Sequence, residues 1–394
     1  MRTVEEAQTI VTSEIPRGPG RRIPLRKALG RVLAKDVFSP IASPSFDSSA
    51  MDGYAVCGDS KQLSVVAEIA AGDRFEKRLR SGEAARIMTG AIIPTGTTGV
   101  IPQEEVVAED RKIFLSRKIE RGENIRRCGE ELKKGDLALS TGILLSPAAV
   151  GFLASLGIPT VDVWVPPRIA ILSTGSELVR RSSLWRAGKV FESNSLTLTC
   201  ALQEFSIDAK MIAPIPDVRS RLERAIAKAL EENDFLWITG GVSVGRFDYV
   251  RPILEDLGVE PIFWKVAQRP GKPLFFGRKG DRFIFGLPGN PASSLVCYYE
   301  YARPALRRWL GFEDLYLEEE KARITVPLLS KPRITQFIRG VASRNHRGLS
   351  VRPAGDQGSH RMGTFAQANC LVVLPSRKRV YKKGDSVLIH WIPR

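Results

Sequence analysis

The chain has 394 residues, of which 43% are hydrophobic, so it is long enough to bury roughly two or three cores. No segment approaches the run of about 20 apolar residues that spans a bilayer, and Glu5 and Glu6 stand where a signal peptide requires apolar side chains, which predicts a cytoplasmic protein. Five cysteines without a CxxC pair and three scattered histidines argue against a disulfide framework and against a zinc site.

The formal charge of +16 arises from 59 lysines and arginines against 43 acidic residues. The positive residues are dispersed among acids, and the sequence contains neither a basic tail nor an aromatic-and-basic RNA-binding pattern. We therefore expect a generally basic surface that attracts a small polyanion rather than a nucleic acid.

The first third of the chain predicts a short helix followed by β structure. A capping-box pattern at Thr3 precedes helically spaced apolar residues, and residues 61–128 contain short β-like runs broken by turns. Asp52 lies in a turn before a strand and Thr89 follows another strand, although ordinary turns have the same patterns. The polar run 121–131 is typical either of a solvated loop or of a site.

The middle of the chain alternates between strand and helix patterns. After a helix that begins at Ser146-Pro147, strands are predicted at 168–172, 210–215, 234–239 and 283–285, and helices at 194–204, 219–231, 248–257 and 291–310. Such alternation predicts a mostly parallel sheet covered on both faces, with ligands beyond the carboxyl ends of its strands. The turns at 174–175, 239–241 and 286–291 fall at such ends, so we expect one crevice to hold all three.

The segment from Thr239 to Gly245 is the most informative part of the sequence. An apolar strand stops at paired glycines and small hydroxyl residues before a predicted helix, which is the arrangement of a phosphate cradle, although an ordinary strand-to-helix turn also favours glycine. It is neither a Walker loop nor a GxGxxG motif. Asp248 is predicted to hold a divalent cation or to accept hydrogen bonds from a heterocycle, and Glu177, after a similar turn, is a second candidate acid.

A second group of motifs favours anion binding. Arg269 and Lys272 are separated by a proline and a glycine, which restrict the backbone and preorganise a clamp. The segment from Pro288 to Ser293 fixes the backbone before a helix, where Ser293 and the first amides could bind an oxyanion. Asn290 could equally be a simple N-cap. The end of the chain is β-rich again and predicts a small separate β domain.

Together these motifs closely resemble the molybdopterin molybdenumtransferase family, which includes the C-terminal domain of gephyrin. The matching segments follow the family order along essentially the whole chain: Ser49–Ala55, Met88–Ala91, Glu123–Arg127 with Gly129-Glu130, Ser173–Gly175, Thr239–Gly245 with Asp248-Tyr249, Pro270–Pro273 and Leu287–Pro291.

The resemblance implies an α/β and β multidomain fold. Its parts are a discontinuous N-terminal domain (1–56 plus 132–167), an inserted β domain (57–131), a central three-layer α/β pterin-binding domain (168–311) and a C-terminal β-barrel-like domain (317–394). It further implies a homodimer whose site is shared between subunits.

The activity that the resemblance implies is the Mg²⁺-dependent insertion of molybdate, or tungstate, into adenylylated molybdopterin with release of AMP. Its partners would be the small-molecule pterin and oxyanion, with a transient contact to the adenylyltransferase that supplies the pterin, and neither nucleic acid nor membrane. The alternative is a scaffolding module related to gephyrin without transferase activity.

The family's functional residues carry over by motif. The pterin or its phosphate end would be bound by Thr239, Gly240, Gly241, Ser243 and Gly245, with Glu177, Pro288 and Asn290 nearby. The oxyanion would be bound by Lys272, Arg269, Ser293, Arg339 and Ser359. The catalytic set would be Asp52, Asp248, Glu131 and Thr89, with Asp52 and Asp248 as ligands of Mg²⁺.

Two positions depart from the family pattern. Glu131 stands where the family usually has Asp, and its extra methylene could move a held metal or water by about 1 Å. Arg269 stands where Lys is common, and its planar guanidinium suits a bidentate oxyanion or phosphate.

Overall fold

The computed structural model describes residues 1–73, 75–241, 249–346 and 348–393. Its helices are α1 (Val4–Glu14), α2 (Pro147–Ser155), α3 (Asn194–Leu202), α4 (Arg219–Glu232), α5 (Val250–Asp256), α6 (Pro291–Cys297), α7 (Arg303–Trp309) and α8 (Gly363–Gln367), with a π-helical turn at Tyr298–Ala302.

In the described residues, three larger sheets are formed by the short strand Gln268–Arg269 and the strands β1–β17. They are β1 (Gly53–Val56), β2 (Gln62–Ile69), β3 (Glu83–Ile87), β4 (Gly99–Pro102), β5 (Val106–Glu109), β6 (Lys112–Leu115), β7 (Ile169–Ser173), β8 (Lys210–Met211), β9 (Phe235–Thr239), β10 (Glu260–Trp264), β11 (Phe275–Lys279), β12 (Arg282–Leu287), β13 (Glu319–Ile324), β14 (Thr335–Asn345), β15 (Gly348–Pro353), β16 (Cys370–Leu374) and β17 (Ser386–Trp391). Further strands cover Gly20–Pro24, Val37–Phe38, Ser48–Ser49, Ile125–Arg126, Leu137–Leu139, Thr160–Trp164, Leu178–Val179, Val190–Phe191, Gln268–Arg269, Leu328–Ser330 and Arg379–Tyr381.

The chain divides into two compact units. The first comprises Met1–Arg21, Gly30–Ala34 and Val163–Arg394, and the second comprises Arg22–Leu29 and Lys35–Asp162. The second unit contains a six-stranded sheet in the order β4-β1-β3-β2-β6-β5, in which only the β2–β3 pair is parallel among the described pairs.

The first unit contains a six-stranded α/β sheet in the order β8-β7-β9-β12-β11-β10. Strands β8, β7, β9 and β12 are parallel, as predicted, and β11 and β10 add an antiparallel edge. The predicted strand at 210–215 is shorter than expected and covers only Lys210–Met211. Pro214 and Pro216 explain this difference because neither has an N–H to donate to a neighbouring strand.

Both faces of this sheet are covered by helices. Ile171 and Trp237 belong to the buried cluster that includes residues of α1, α3, α6 and α7, whereas Leu172 and Ile238 belong to the cluster that includes residues of α4 and α5. Alternate residues of one strand face opposite sides of a sheet, so each strand here is apolar throughout. The prediction of a three-layer α/β domain is therefore confirmed.

The end of the chain forms a closed five-stranded barrel. The strands follow the order β14-β15-β13-β17-β16, and β16 pairs with β14 to close the cylinder. Closure leaves no free edge among these strands, and the predicted β-barrel-like domain is confirmed. The short strand Gln268–Arg269 pairs with the start of β14, so the barrel also contacts the segment that was predicted to clamp an anion.

Candidate functional site

A cleft of about 620 Å³ lies at the carboxyl edge of the α/β sheet. Thr174-Gly175, Thr239–Gly241 and Pro288–Pro291 all line it. The three turns meet because Ser173, Thr239 and Leu287 end neighbouring parallel strands at the same register. The prediction that one crevice holds all three turns is confirmed.

The glycines of this cleft allow the turns to pack closely. Gly240 has a φ of +87°, and a Cβ atom built on it would lie 2.5 Å from the carbonyl oxygen of Thr174. Its N–H donates to the carbonyl of Leu287 at 3.2 Å and is therefore engaged within the protein. Of the predicted phosphate cradle, Ser243, Gly245 and Asp248 lie outside the described residues, so their roles stay predictions.

Glu192 holds together the base of the cleft, a role that the sequence analysis missed. Its Oε1 accepts hydrogen bonds from Ser195 N at 2.8 Å and from Ser173 Oγ at 2.9 Å, and its Oε2 accepts from Ser195 Oγ and from Arg180 Nε at 3.1 Å. Thr239 Oγ1 donates to Ser173 Oγ at 3.0 Å. This network ties the ends of β7 and β9 to the first turn of α3.

The charge of Glu192 is stabilised despite its burial. Its side chain is 2% exposed. Burial raises the pKa of the carboxyl group, but hydrogen bonds from Ser195, Ser173 and Arg180 outweigh that effect and lower the pKa below its ordinary value. The sequence did contain a signal, since an acid three residues before Ser195 can accept from an N–H in the first helical turn.

Asp217 and Asn194 position the walls of the cleft. Asp217 accepts from Thr174 Oγ1 at 2.8 Å and from Ser176 N at 3.1 Å, and Asn194 Nδ2 donates to the carbonyl of Gly289 at 2.8 Å. The first two bonds hold the turn after β7 against the segment that follows β8, and the third holds the turn after β12 against the start of α3. Neither residue was among the predicted site residues.

The described lining of the cleft is acidic. Its charged members are Glu177, as predicted, together with Glu192 and Asp217, and His360 adds an imidazole ring. Within the described ranges, neither lysine nor arginine lines it. Such a wall suits the amino groups of a heterocycle, whose N–H bonds need acceptors, whereas an anionic group requires cations from a neighbouring segment.

Those cations line a second pocket of about 390 Å³. Arg269 and Lys272, both predicted anion ligands, lie there with Arg333 and Gln268. The side chains of Arg269 and Lys272 are exposed, while Gln268 is 1% exposed. Pro273, next to Lys272, lines the larger cleft, so the two pockets flank one short segment.

The remaining predicted oxyanion residues lie on segments that contact each other. The N–H of Ala292, beside Ser293, donates to the carbonyl of Ser359 at 3.1 Å, and Arg339 Nη2 donates to the carbonyl of Gly358 at 3.1 Å. Ser293 and Arg339 are buried, and burial lowers the pKa of the Arg339 guanidinium. Arg339 Nη1 has no hydrogen-bond partner among the described residues, which leaves a buried donor for a ligand or a water molecule.

Asp52 and Thr89 meet in the second unit. Strands β1 and β3 pair with Gly53 opposite Ile87, and Asp52 Oδ1 accepts from both the N–H and the Oγ1 of Thr89 at 2.6 Å. Both bonds lower the pKa of the Asp52 carboxyl group, and the bond from the Thr89 hydroxyl has the larger effect. Glu131 instead accepts from Ser43 Oγ at 2.7 Å.

Among the described residues, no group of three or more His, Cys, Asp or Glu side chains has an arrangement that could hold a metal ion. Within the same ranges, no helix is both long and apolar enough to cross a bilayer.

The fold and the cleft define a multidomain protein with a ligand cleft at the carboxyl edge of an α/β sheet. Three family models match the chain: "MoeA N-terminal region (domain I and II)" over residues 2–157, "Probable molybdopterin binding domain" over 170–308 and "MoeA C-terminal region (domain IV)" over 321–392. All lining residues of the cleft except His360 lie in the second of these regions.

Full-length relatives carry the comparison further. The molybdopterin molybdenumtransferase of Haemophilus influenzae is 37% identical, covering 99% of this chain and 98% of the relative, and that of Staphylococcus aureus is 30% identical, covering 98% and 94%. A crystal structure of the molybdopterin biosynthesis moeA protein from Pyrococcus horikoshii is 29% identical with a TM-score of 0.84 and covers 100% of both chains. The chain belongs to the molybdopterin molybdenumtransferase family, a family of enzymes in molybdenum cofactor biosynthesis.

Proposed function

We propose that this protein inserts molybdate into adenylylated molybdopterin and releases AMP in a Mg²⁺-dependent reaction. The observation that carries the proposal is the meeting of three predicted turns around one cleft, within the region that matches a molybdopterin-binding family model. The same cleft is flanked by a segment with two exposed cations, Arg269 and Lys272. A pterin that bears phosphate groups needs both kinds of surface.

The two pockets divide the recognition of the substrates. The acidic wall with Glu177 and Asp217 accepts hydrogen bonds from the amino groups of the heterocycle. The oxyanion is bound beside it by the residues that the family motifs assign, which are Lys272, Arg269, Ser293, Arg339 and Ser359. Dithiolene sulfurs, molybdate and a phosphoanhydride are all electron-rich, so cations are required to bring them together.

Asp52 has the chemistry of a ligand for Mg²⁺. Both hydrogen bonds from Thr89 end on Oδ1 of Asp52, so Oδ2 is left for a hard cation, and the lowered pKa keeps the group ionised. When bound, Mg²⁺ would neutralise charge on the phosphoanhydride and aid attack by oxygen. Asp248 remains the predicted second ligand, and Glu131 remains a predicted catalytic residue.

The other expectations from the family belong to the same proposal. The protein works in the cytoplasm as a homodimer and takes its pterin from an adenylyltransferase by transient contact. Equilibrium sedimentation tests the dimer, and a pull-down with the adenylyltransferase tests the contact.

The decisive experiment incubates the protein with adenylylated molybdopterin, Mg²⁺ and either molybdate or tungstate. AMP release and metal bound to pterin are measured, and both are expected with at least one oxyanion. An Asp52→Asn, Asp248→Asn double variant should lose AMP release. Pterin binding without AMP release from the wild-type protein with either oxyanion would refute the proposal and favour the scaffolding alternative.

A further inference from the structure

The segment that carries Arg269 and Lys272 rests on one buried side-chain amide. Gln268 is 1% exposed, and its Nε2 donates to the carbonyl of Pro270 at 3.1 Å and to that of Gly271 at 3.2 Å. Both carbonyl oxygens are thereby held toward the protein interior. The amide thereby fixes the orientation of both carbonyls in the segment that carries Arg269 and Lys272.

The amide itself is oriented by a buried tyrosine. The hydroxyl of Tyr301, in the π-helical turn, donates to Gln268 Oε1. Tyr301 is 0% exposed, and burial raises the pKa of its hydroxyl well above its usual value, so the group stays protonated and donates. With its oxygen engaged in this way, the amide must present its NH₂ group to the two carbonyls.

Gly271 lies close to the amide. It has a φ of +90°, and a Cβ atom built there would lie 2.6 Å from both Cys297 Sγ and Gln268 Nε2. A side chain at position 271 would therefore collide with the buried Cys297 and Gln268.

The ends of the segment are anchored as well. Val266 N donates to the carbonyl of Lys272 at 3.0 Å, and Thr335 N, at the start of β14, donates to the carbonyl of Ala267 at 2.8 Å. Arg269 is also held by the pairing of Gln268–Arg269 with β14, and beyond it the amide of Gln268 bonds the two successive carbonyls of Pro270 and Gly271. The separation of Arg269 and Lys272 thus depends on Gln268, although the side chain of Gln268 forms no hydrogen bond to either of them.

We propose that Gln268, oriented by Tyr301, is a positioning residue that sets the spacing of Arg269 and Lys272 for a tetrahedral oxyanion. This inference rests on the proposed function, because it takes molybdate as the anion. If the amide is lost, the Pro270 carbonyl loses this donor and the Gly271 carbonyl keeps the weaker Cys297 Sγ contact at 3.6 Å, so the backbone turns to find new donors. The cations then move apart, and a shift of about 1 Å is enough to weaken a clamp of fixed geometry.

The test compares three variants of the full chain. Gln268→Met keeps the side-chain volume and removes the amide, and Tyr301→Phe removes only the hydroxyl that orients it. Tyr298→Phe is the matched control, since Tyr298 is also buried in the π-helical turn but donates to the carbonyl of Ala201 at 3.0 Å. Molybdate, tungstate and sulfate binding are measured by isothermal titration, and AMP release is measured at varied molybdate and varied pterin nucleotide.

We expect Gln268→Met to raise the Kd for molybdate about tenfold and Tyr301→Phe to raise it about threefold. The KM for the pterin nucleotide and the kcat at saturating molybdate should stay within about twofold of wild type. The control should lose thermal stability without any change in the Kd for molybdate.

Two results would overturn the inference: an unchanged molybdate Kd in both test variants, or an equal rise in the Tyr298→Phe control. If Gln268→Met does not fold, Tyr301→Phe decides the question. Absence of AMP release from the wild-type protein would refute the proposed function alone, because the binding titrations test the spacing of the cations without turnover.

Discussion

Replacing Glu192 by glutamine should destabilise the fold although the two side chains have the same shape. All four groups that contact the carboxylate are donors to it: Ser195 N, Ser195 Oγ, Ser173 Oγ and Arg180 Nε. A glutamine offers one oxygen and one NH₂ group, so two of the four donors must face the NH₂. The hydroxyls can turn to accept, but a backbone N–H and a guanidinium N–H cannot.

The loss of stability comes mainly from the N–H donor that faces the glutamine NH₂ group and has no acceptor. A hydrogen bond to a charged group contributes about 1.5–3 kcal/mol, and the other three bonds weaken when the charge is removed. We therefore expect Glu192→Gln to lower the free energy of unfolding by about 2–4 kcal/mol. Because Ser173 and Thr239 are in the same network, binding of ligand in the cleft should weaken as well.

The pH dependence gives an independent check of the same reasoning. The folded-state pKa of Glu192 is lowered from 4.5, so its contribution to stability is present above pH 4.5 and is lost as the pH falls through the folded-state pKa. The difference between wild type and variant should be full at neutral pH and should shrink in acid.

Urea denaturation followed by tryptophan fluorescence, to which the buried Trp237 contributes, measures these free energies. Glu232→Gln is the control, because Glu232 pairs with Lys210 at the surface and its loss should change nothing measurable. A loss below about 1 kcal/mol for Glu192→Gln at neutral pH, or a difference that does not shrink in acid, would refute the account of the network.

Three further predictions concern other parts of the chain. Gly271→Ala should lower the Tm and weaken molybdate binding. A left-handed φ of +90° alone costs a non-glycine residue about 1–2 kcal/mol, and the new Cβ would collide with the buried Cys297 Sγ. Thermal melts with and without molybdate measure both effects. Thr89→Val removes a hydroxyl donor, so the lowered pKa of Asp52 should rise toward 3.8 in an NMR titration, and an unchanged pKa would contradict the assigned cause. Burial lowers the pKa of His390, but the hydrogen bond to Glu300 and nearby carboxylates outweigh it and raise the pKa above 6.5, so stability should be full below pH 6.5 and fall as the pH rises through the raised pKa. His390→Gln should abolish that fall in urea titrations across this range.

Much of the fold follows from local features of the sequence. The apolar strands that end at Ser173 and Thr239 are visible because each is a short apolar run followed by a glycine turn. The parallel order follows from the helices between them, and parallel strands bring their carboxyl ends to one edge. The sequence therefore predicts where the cleft lies, and it also predicts that Glu177 lines the cleft.

Less regular elements were predicted only in outline. The helix expected at 291–310 contains a π-helical turn at Tyr298–Ala302, which places Tyr301 beneath the segment of Arg269. Helical periodicity does not distinguish such a turn from a continuous α-helix, because the apolar face is retained.

By itself the sequence determined the family, the alternation of strands and helices, and the turns that meet at the cleft, because each of these is encoded by residues close together in the chain. Only the tertiary structure decided the roles of Glu192 and Gln268. Glu192 bonds Ser173 from 19 positions away, and Gln268 is oriented by a tyrosine 33 positions away. A buried polar side chain is defined by the partners that satisfy it, and those partners are set by how distant elements pack.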